Sequence, residues 1–188
     1  MMIRNDQVGF PWFAPAGTRR GSIDNASRLG YLNSSNEFVA IGVREGVRDT
    51  LYENRVNPLI QTPQAGIVAF GQKTRAAGTS ALDRINVARL TAYMRNQLDK
   101  TARNFLFEPN DTITRNEIKG AIEALCNDLV AKRALLDYLV VCDESNNTPE
   151  RIDRNELYVD IAIEPVKAVE FIYIPLRIKS TGEIAAGL

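Results

Sequence analysis

From Ala81 to Leu106 a single apolar stripe runs at helical spacing, with Val87, Leu90, Met94, Leu98, Ala102 and Phe105 recurring every three or four residues. A stripe of this kind is stable only where another surface covers it, so the segment commits the chain to an amphipathic helix lying on a core. Opposite the stripe, Arg95, Asp99 and Arg103 line up as a charged ladder with Lys100 beside it. Pro109 stops the helix. Thr114 and Glu117 then have capping-box spacing, which predicts a second helix starting at Thr114. Its buried face is Ile118, Ile122, Leu125 and Leu129, and it ends near Lys132 and Arg133, cations suited to a helix C-terminus.

The surface these helices need is supplied by strand-like segments. LDYLVVCD (Leu136 to Asp143) is almost continuously apolar at its centre, the pattern of a strand covered on both faces. ELYVDIAIE (Glu156 to Glu164) alternates, placing Leu157, Val159, Ile161 and Ile163 on one face. VEFIYIPLRI (Val169 to Ile178) reads as a further strand, and Pro175 puts it at an edge because proline cannot donate to a ladder. Upstream, Phe38 to Val43 reads as a short strand and Arg44 to Arg55 as a helical stretch, with Pro58 and Pro63 bracketing a loop. GIVAF (Gly66 to Phe70) reads as a buried strand, and Arg75 to Ser80 as loop. The first 37 residues are aromatic, Pro-rich and turn-rich, and read as loops or an extended arm. Trp12 and Phe13 within them either mark a recognition surface or pin a loop to the core. The fold class expected is α+β: a small, mainly antiparallel sheet packed by two amphipathic helices, with extended N- and C-terminal segments.

Composition narrows the chemistry. The 188 residues carry 23 basic and 23 acidic side chains, a balance unlike that of a nucleic-acid binder. The charges are segregated: residues 1–107 hold 14 basic and 8 acidic groups, residues 108–188 hold 9 and 15. Opposite-signed halves suit copies that meet head to tail, and equally suit an ordinary solvated surface. There is no histidine, which removes the usual general base and the commonest metal ligand. Cys126 and Cys142 lie in apolar stretches without metal-ligand spacing and read as reduced core residues. No apolar run approaches the ~20 residues of a membrane helix.

Two motifs invite a catalytic reading. Gly66 to Thr74 nearly matches the phosphate loop G-x-x-x-x-G-K-[ST], but Gln72 separates Gly71 from Lys73 and the intervening residues favour a strand interior over an amide nest. Asp143 and Glu144 follow an apolar strand, as catalytic carboxylates often do, yet nothing around them separates two pKa values. Both read as structural. No catalytic, cofactor-binding or metal-binding residue is expected, and no cofactor.

The succession FPWFAPAGTRRG, NPLIQTPQAGIVAFGQKT, INVARL, NFLFEPND and YLVVCDESNNTPERID, followed by a strand-rich end, resembles the contractile-tail sheath proteins of bacteriophages. The likeness extends from about Gly9 to Ile178, and NFLFEPND and VVCDESNNTPE carry most of it. It implies a non-enzymatic structural subunit of the virion, assembled in the host cytoplasm into a helical homo-oligomer around a tail tube. Contraction of that array drives the tube through the host envelope. Implied partners are other copies, the tail tube protein, and baseplate and tail terminator proteins, with neither nucleic acid nor membrane. Sheaths of type VI secretion systems and phage-tail-like bacteriocins are the nearest alternative, and a nucleotide-binding enzyme using Gly66 to Thr74 a remote one.

Under this resemblance residues 1–37 link to upstream domains missing from this chain, residues 38–178 form the C-terminal sheath domain, and residues 179–188 are a strand-donating tail. The inter-subunit arm is expected at Pro175, Leu176, Arg177, Ile178, Lys179 and Ile184. The helix face of Arg95, Asp99, Lys100 and Arg103 is expected toward the tube or a neighbour, with a solvated face as the plain alternative.

Overall fold

The computed structural model describes residues 1–76, 78 and 80–175. In chain order the elements are α1 (Met2–Val8), α2 (Gly17–Arg20), β1 (Gly30–Leu32), β2 (Phe38–Ala40), α3 (Glu45–Glu53), β3 (Leu59–Thr62) and β4 (Gly66–Ala69). A 3-10 turn at Ala81–Asp83 leads into α4 (Ile85–Arg103), then α5 (Thr112–Ala131), β5 (Leu135–Val141), α6 (Pro149–Asp153) and β6 (Asp160–Pro165). The class is α+β. The described strands pair antiparallel in three two-stranded sheets, β1–β2, β3–β4 and β5–β6.

The two stripes build the core. Leu90 and Met94 of α4 join Ile118, Ile122, Cys126 and Leu129 of α5 in one cluster, and α5 lies on β5, whose Leu135 and Val140 complete it. Leu90 and Leu129 are essentially solvent-free, so truncating either to alanine would cost about 2–5 kcal/mol. The stripe on α4 fades at its end, where Ala102 is exposed and Phe105 only half-buried. The helix stops at Arg103, six residues before Pro109, because residues 104–107 already turn away.

The start of α5 differs from the capping-box expectation. The cap is Asp111, whose Oδ1 accepts from the Thr114 amide at 2.9 Å, leaving Thr114 buried within the first turn. An aspartate here serves both as acceptor for an orphan amide and as anion at the positive end of the helix dipole. At the other end Arg133 takes a left-handed φ of 60°, and the Ala134 amide reaches back to the Leu129 carbonyl at 2.8 Å.

The β5–β6 ladder runs from Leu135↔Pro165 to Val141↔Asp160 with a bulge between Leu135 and Asp137. Leu157, Val159, Ile161 and Ile163 face the core as the alternation predicts. β5 is not covered on both faces, however. Leu136 is 60% and Leu139 61% exposed, because α5 lies on one side and nothing described lies on the other.

The first 37 residues are more structured than their turn-rich composition suggests. They carry α1, α2 and β1, and Gly21–Ile23 runs along β4 through amide bonds Ala69 to Gly21 O and Ile23 to Ile67 O, both 2.8 Å. Gly21 is required there, since a Cβ would sit 2.7 Å from the Ala69 carbonyl. The open question over Trp12 is resolved: it is 5% exposed, stacks on Phe10 at 4.8 Å, meets Tyr93 edge-on at 5.3 Å, and donates its indole N–H to the Lys132 carbonyl at 3.0 Å. It pins the loop to the core. Asp6 adds a bidentate pair with Arg89 of α4 at 2.6 and 2.8 Å.

Candidate functional site

The segment after β6 is the least satisfied part of the described chain. Val166 is held by its amide to the Ala134 carbonyl at 3.0 Å. Four residues later the Glu170 carboxylate receives Nε and Nη2 of Arg84 at 2.6 and 3.0 Å and Nε2 of Gln72 at 3.2 Å. The Tyr52 phenol lies beside the same carboxylate. Burial works against ionisation of Glu170, but these donors outweigh it and hold the carboxyl below the ordinary range. Burial and the neighbouring carboxylate push the Tyr52 phenol well up, so it stays protonated.

Around this anchor the chain is bare. Val169, Phe171, Ile172, Tyr173 and Ile174 are 67–87% exposed, and Pro175 is exposed too. The strand expected from Val169 to Ile178 is not formed over residues 169–175, where no ladder is present. The apolar run is intact, but among the described residues no strand lies beside it, and a strand without a neighbour has no ladder. Of the expected arm, Leu176, Arg177, Ile178, Lys179 and Ile184 lie outside the described residues. Sequence reasoning did not find the Glu170 anchor. The available signal was Glu170 itself, a lone carboxylate in an otherwise apolar run.

Nearby, β5–β6 has only two strands, so each leaves one edge without a partner among the described residues, next to the exposed Leu136 and Leu139. Open edges and exposed extended segments are the two halves of strand addition. On α4, Arg95, Asp99, Lys100 and Arg103 are all exposed, and Asp99 pairs with Arg103 at 2.9 Å. An ion pair so exposed contributes little to stability.

The remaining motifs are built into the scaffold. Ile67, Val68 and Ala69 of the loop-like motif are buried in β4, and Lys73 donates to the Tyr52 carbonyl at 2.7 Å with its ammonium 4.1 Å from the Tyr52 ring centre. Asp143 caps a turn through the Ser145 amide at 2.8 Å. Behind it Asn147 is buried, donating to the Tyr158 carbonyl at 2.9 Å and accepting from its amide at 2.7 Å. Cys126 and Cys142 are buried and unpaired, and burial raises both thiols.

One cleft of about 510 Å³ opens between the Trp12–Arg20 loop, α3 and residues 166–171. Trp12, Phe13, Tyr52 and Phe70 line it, with Arg19, Arg20 and Arg133 also in its wall. Gln72 and Asn86, 3% and 4% exposed, also line it, and each keeps a side-chain oxygen without a donor among the described residues. No described helix is long and apolar enough to cross a membrane.

The fold is of a class seen in contractile injection machines. It matches, with TM-score 0.77 and 20% identity, a chain in the baseplate of the anti-feeding prophage, over 94% of this chain and 47% of that one. A second match, TM-score 0.75 and 19% identity, is to a chain of the contracted PVC sheath complex of an extracellular contractile injection system, over 96% of this chain and 49% of that one. The chain itself belongs to the phage tail sheath C-terminal domain family, which matches residues 78–179. It is 38% identical over 176 residues to the tail sheath protein of Vibrio phage KVP40 and 34% identical over 182 residues to that of Enterobacteria phage T4. These alignments take in 94% and 97% of this chain but span about a quarter of the relatives' length, 25% and 26%.

Proposed function

We propose that this chain forms part of the wall of a contractile phage tail. Copies polymerise helically around a tail tube, and a switch of the polymer to a contracted state drives the tube through the host envelope. The observation that carries this reading is the exposed apolar segment 169–174 beside a sheet with open edges. Each such side chain gains about 1.5–3 kcal/mol when fully buried, so a neighbour that accepts the segment is favoured over an isolated chain. Family membership supports the same reading.

In this role Pro175, Leu176, Arg177, Ile178, Lys179 and Ile184 belong to an arm that adds to the sheet of a neighbouring copy. Arg95, Asp99, Lys100 and Arg103 face the tube or a neighbour. The partners are other copies, the tail tube protein and, at the ends of the polymer, baseplate and tail terminator proteins. The role is mechanical, in the virion, after assembly in the host cytoplasm, and it involves no bond-breaking chemistry. The second reading, a sheath of a related injection machine, is favoured by the two structural neighbours, whereas the relatives at 34–38% identity favour a phage tail.

Negative-stain microscopy with sedimentation tests the proposal on the protein as naturally encoded. Tubular or striated helical polymers are expected. A protein that stays monomeric at high concentration overturns the reading in favour of a globular binding module.

A further inference from the structure

The turn between α4 and α5 contains a residue that nothing in the isolated chain accounts for. Phe107 is fully exposed, at 104% of its reference area, and its backbone takes a left-handed φ of 73°. Left-handed backbone is ordinary for glycine or asparagine and strained for a bulky side chain, by roughly 1–3 kcal/mol. Here the strain holds an aromatic ring out in water. Leu106 and Ile113 on either side are 63% and 69% exposed, so the turn is an apolar prong rather than a single stray ring. Its flank is acidic, with Glu108 and the capping carboxylate of Asp111 both exposed. The turn's base is firmly set: Asn110 donates to the Glu156 carbonyl at 2.9 Å, and buried Arg115 reaches Asn110 Oδ1 at 3.3 Å and Thr112 Oγ1 at 3.1 Å.

The cleft described above has the complementary character. Its wall is aromatic, and at about 510 Å³ it is of a size that accepts a small apolar group, about 300–1,000 Å³. Arg19, Arg20 and Arg133 stand in its wall without an ion pair among the described residues. They lie near enough together that, after burial, the charges of Arg19 and Arg133 lower the pKa of Arg20. Lys167 adds a further cation, Arg48 is paired with Glu45 and Asp49, and Glu170 is committed to Arg84. The unpaired charge is therefore positive.

We propose that the α4–α5 turn is a docking prong, and that Phe107 with its acidic flank seats in the arginine-walled cleft of a second copy of this chain. Prong and cleft are different surfaces, so the contact is head to tail. Contacts of that kind leave one of each unused and generate open helical arrays rather than closed pairs. The charge segregation agrees in part: the prong's acids open the acidic half of the sequence and Arg19 and Arg20 lie in the basic half, while Arg133 and Lys167 come from the acidic half.

The inference rests on the polymeric reading, and one experiment separates the two. Cysteines are placed by Phe107→Cys and Ala16→Cys, alone and together, in the protein as naturally encoded, and assembled polymers are treated with a short bismaleimide. Ala16 lines the cleft, and the native Cys126 and Cys142 are buried, so wild type serves as the unlinked control. The expected result is a ladder of covalent multimers that needs both cysteines. Normal polymers of the double variant that give no ladder overturn the prong and leave the sheath reading standing. Phe107→Cys that links instead to a different protein also overturns it. Wild type that forms no polymer removes both readings. As a second measurement, Phe107→Ala should lower polymer yield at least tenfold with an unchanged melting temperature of the unassembled chain, and unchanged yield counts against the prong.

Discussion

Glu170 shows how one side chain decides where a segment leaves the body of a protein. It is 16% exposed and gathers donors from the loop after β4 and the residue preceding α4, with Tyr52 of α3 alongside. Replacing it with glutamine removes the charge but keeps the shape. Arg84 retains Asp83 at 2.8 Å, so the loss is that of a charge-assisted hydrogen bond, about 1.5–3 kcal/mol. The folded-state pKa lies below the ordinary 4.5, so this stabilisation is fully present above that value and is lost as pH falls through the lower folded-state value. Urea melts of Glu170→Gln and wild type should therefore differ by a constant amount near neutral pH and converge as the solution is acidified below 4.5. A gap that persists undiminished at strongly acid pH would count against this role for the charge. The chain has no histidine, so no side chain with an ordinary pKa confuses the region between about pH 5 and 8.

Among the elements, those with a complete local signal were legible from sequence. The α4 and α5 stripes and the inward face of β6 follow from periodicity, and the strand read at Gly66 to Phe70 from a short apolar run, though it ends at Ala69 and leaves Phe70 exposed. Elements that depend on distant partners were not. α1 and α2 carry no side-chain cap, and β1 and β3 are three or four residues of mixed polarity that exist because β2 and β4 pair with them. The Glu170 hub unites residues 52, 72, 84 and 170, a separation no local pattern encodes. The last strand was misread for the opposite reason: its pattern is clear, but the partner it calls for is not in the described chain. Deleting Lys179 to Leu188 should abolish polymers while leaving the far-ultraviolet circular dichroism and melting of the chain unchanged. Normal polymers from the deletion would sink the arm. Reversing charge with Arg95→Glu and Lys100→Glu separates the two readings of α4: loss of tube association or of polymer supports a contact face, and intact tube-filled polymers a solvated one.

For the whole molecule the balance of charge and its segregation matter together. A neutral chain is not driven apart from its copies at long range, while opposite-signed halves orient their approach. If those fields align the copies, polymer yield falls as ionic strength rises from about 0.1 to about 1 M, where the screening length shrinks from about 10 to about 3 Å. Polymers indifferent to salt would assign assembly to apolar burial alone. The anchor at Glu170 has a further, mechanical consequence. Tension applied to the chain beyond Pro175 meets the Arg84 pair before it reaches the hydrogen bond of Val166 or the β5–β6 ladder. Arg84 immediately precedes α4, so the load passes to a helix anchored in the core by Leu90 and Met94, and the hairpin is spared from being unzipped strand by strand.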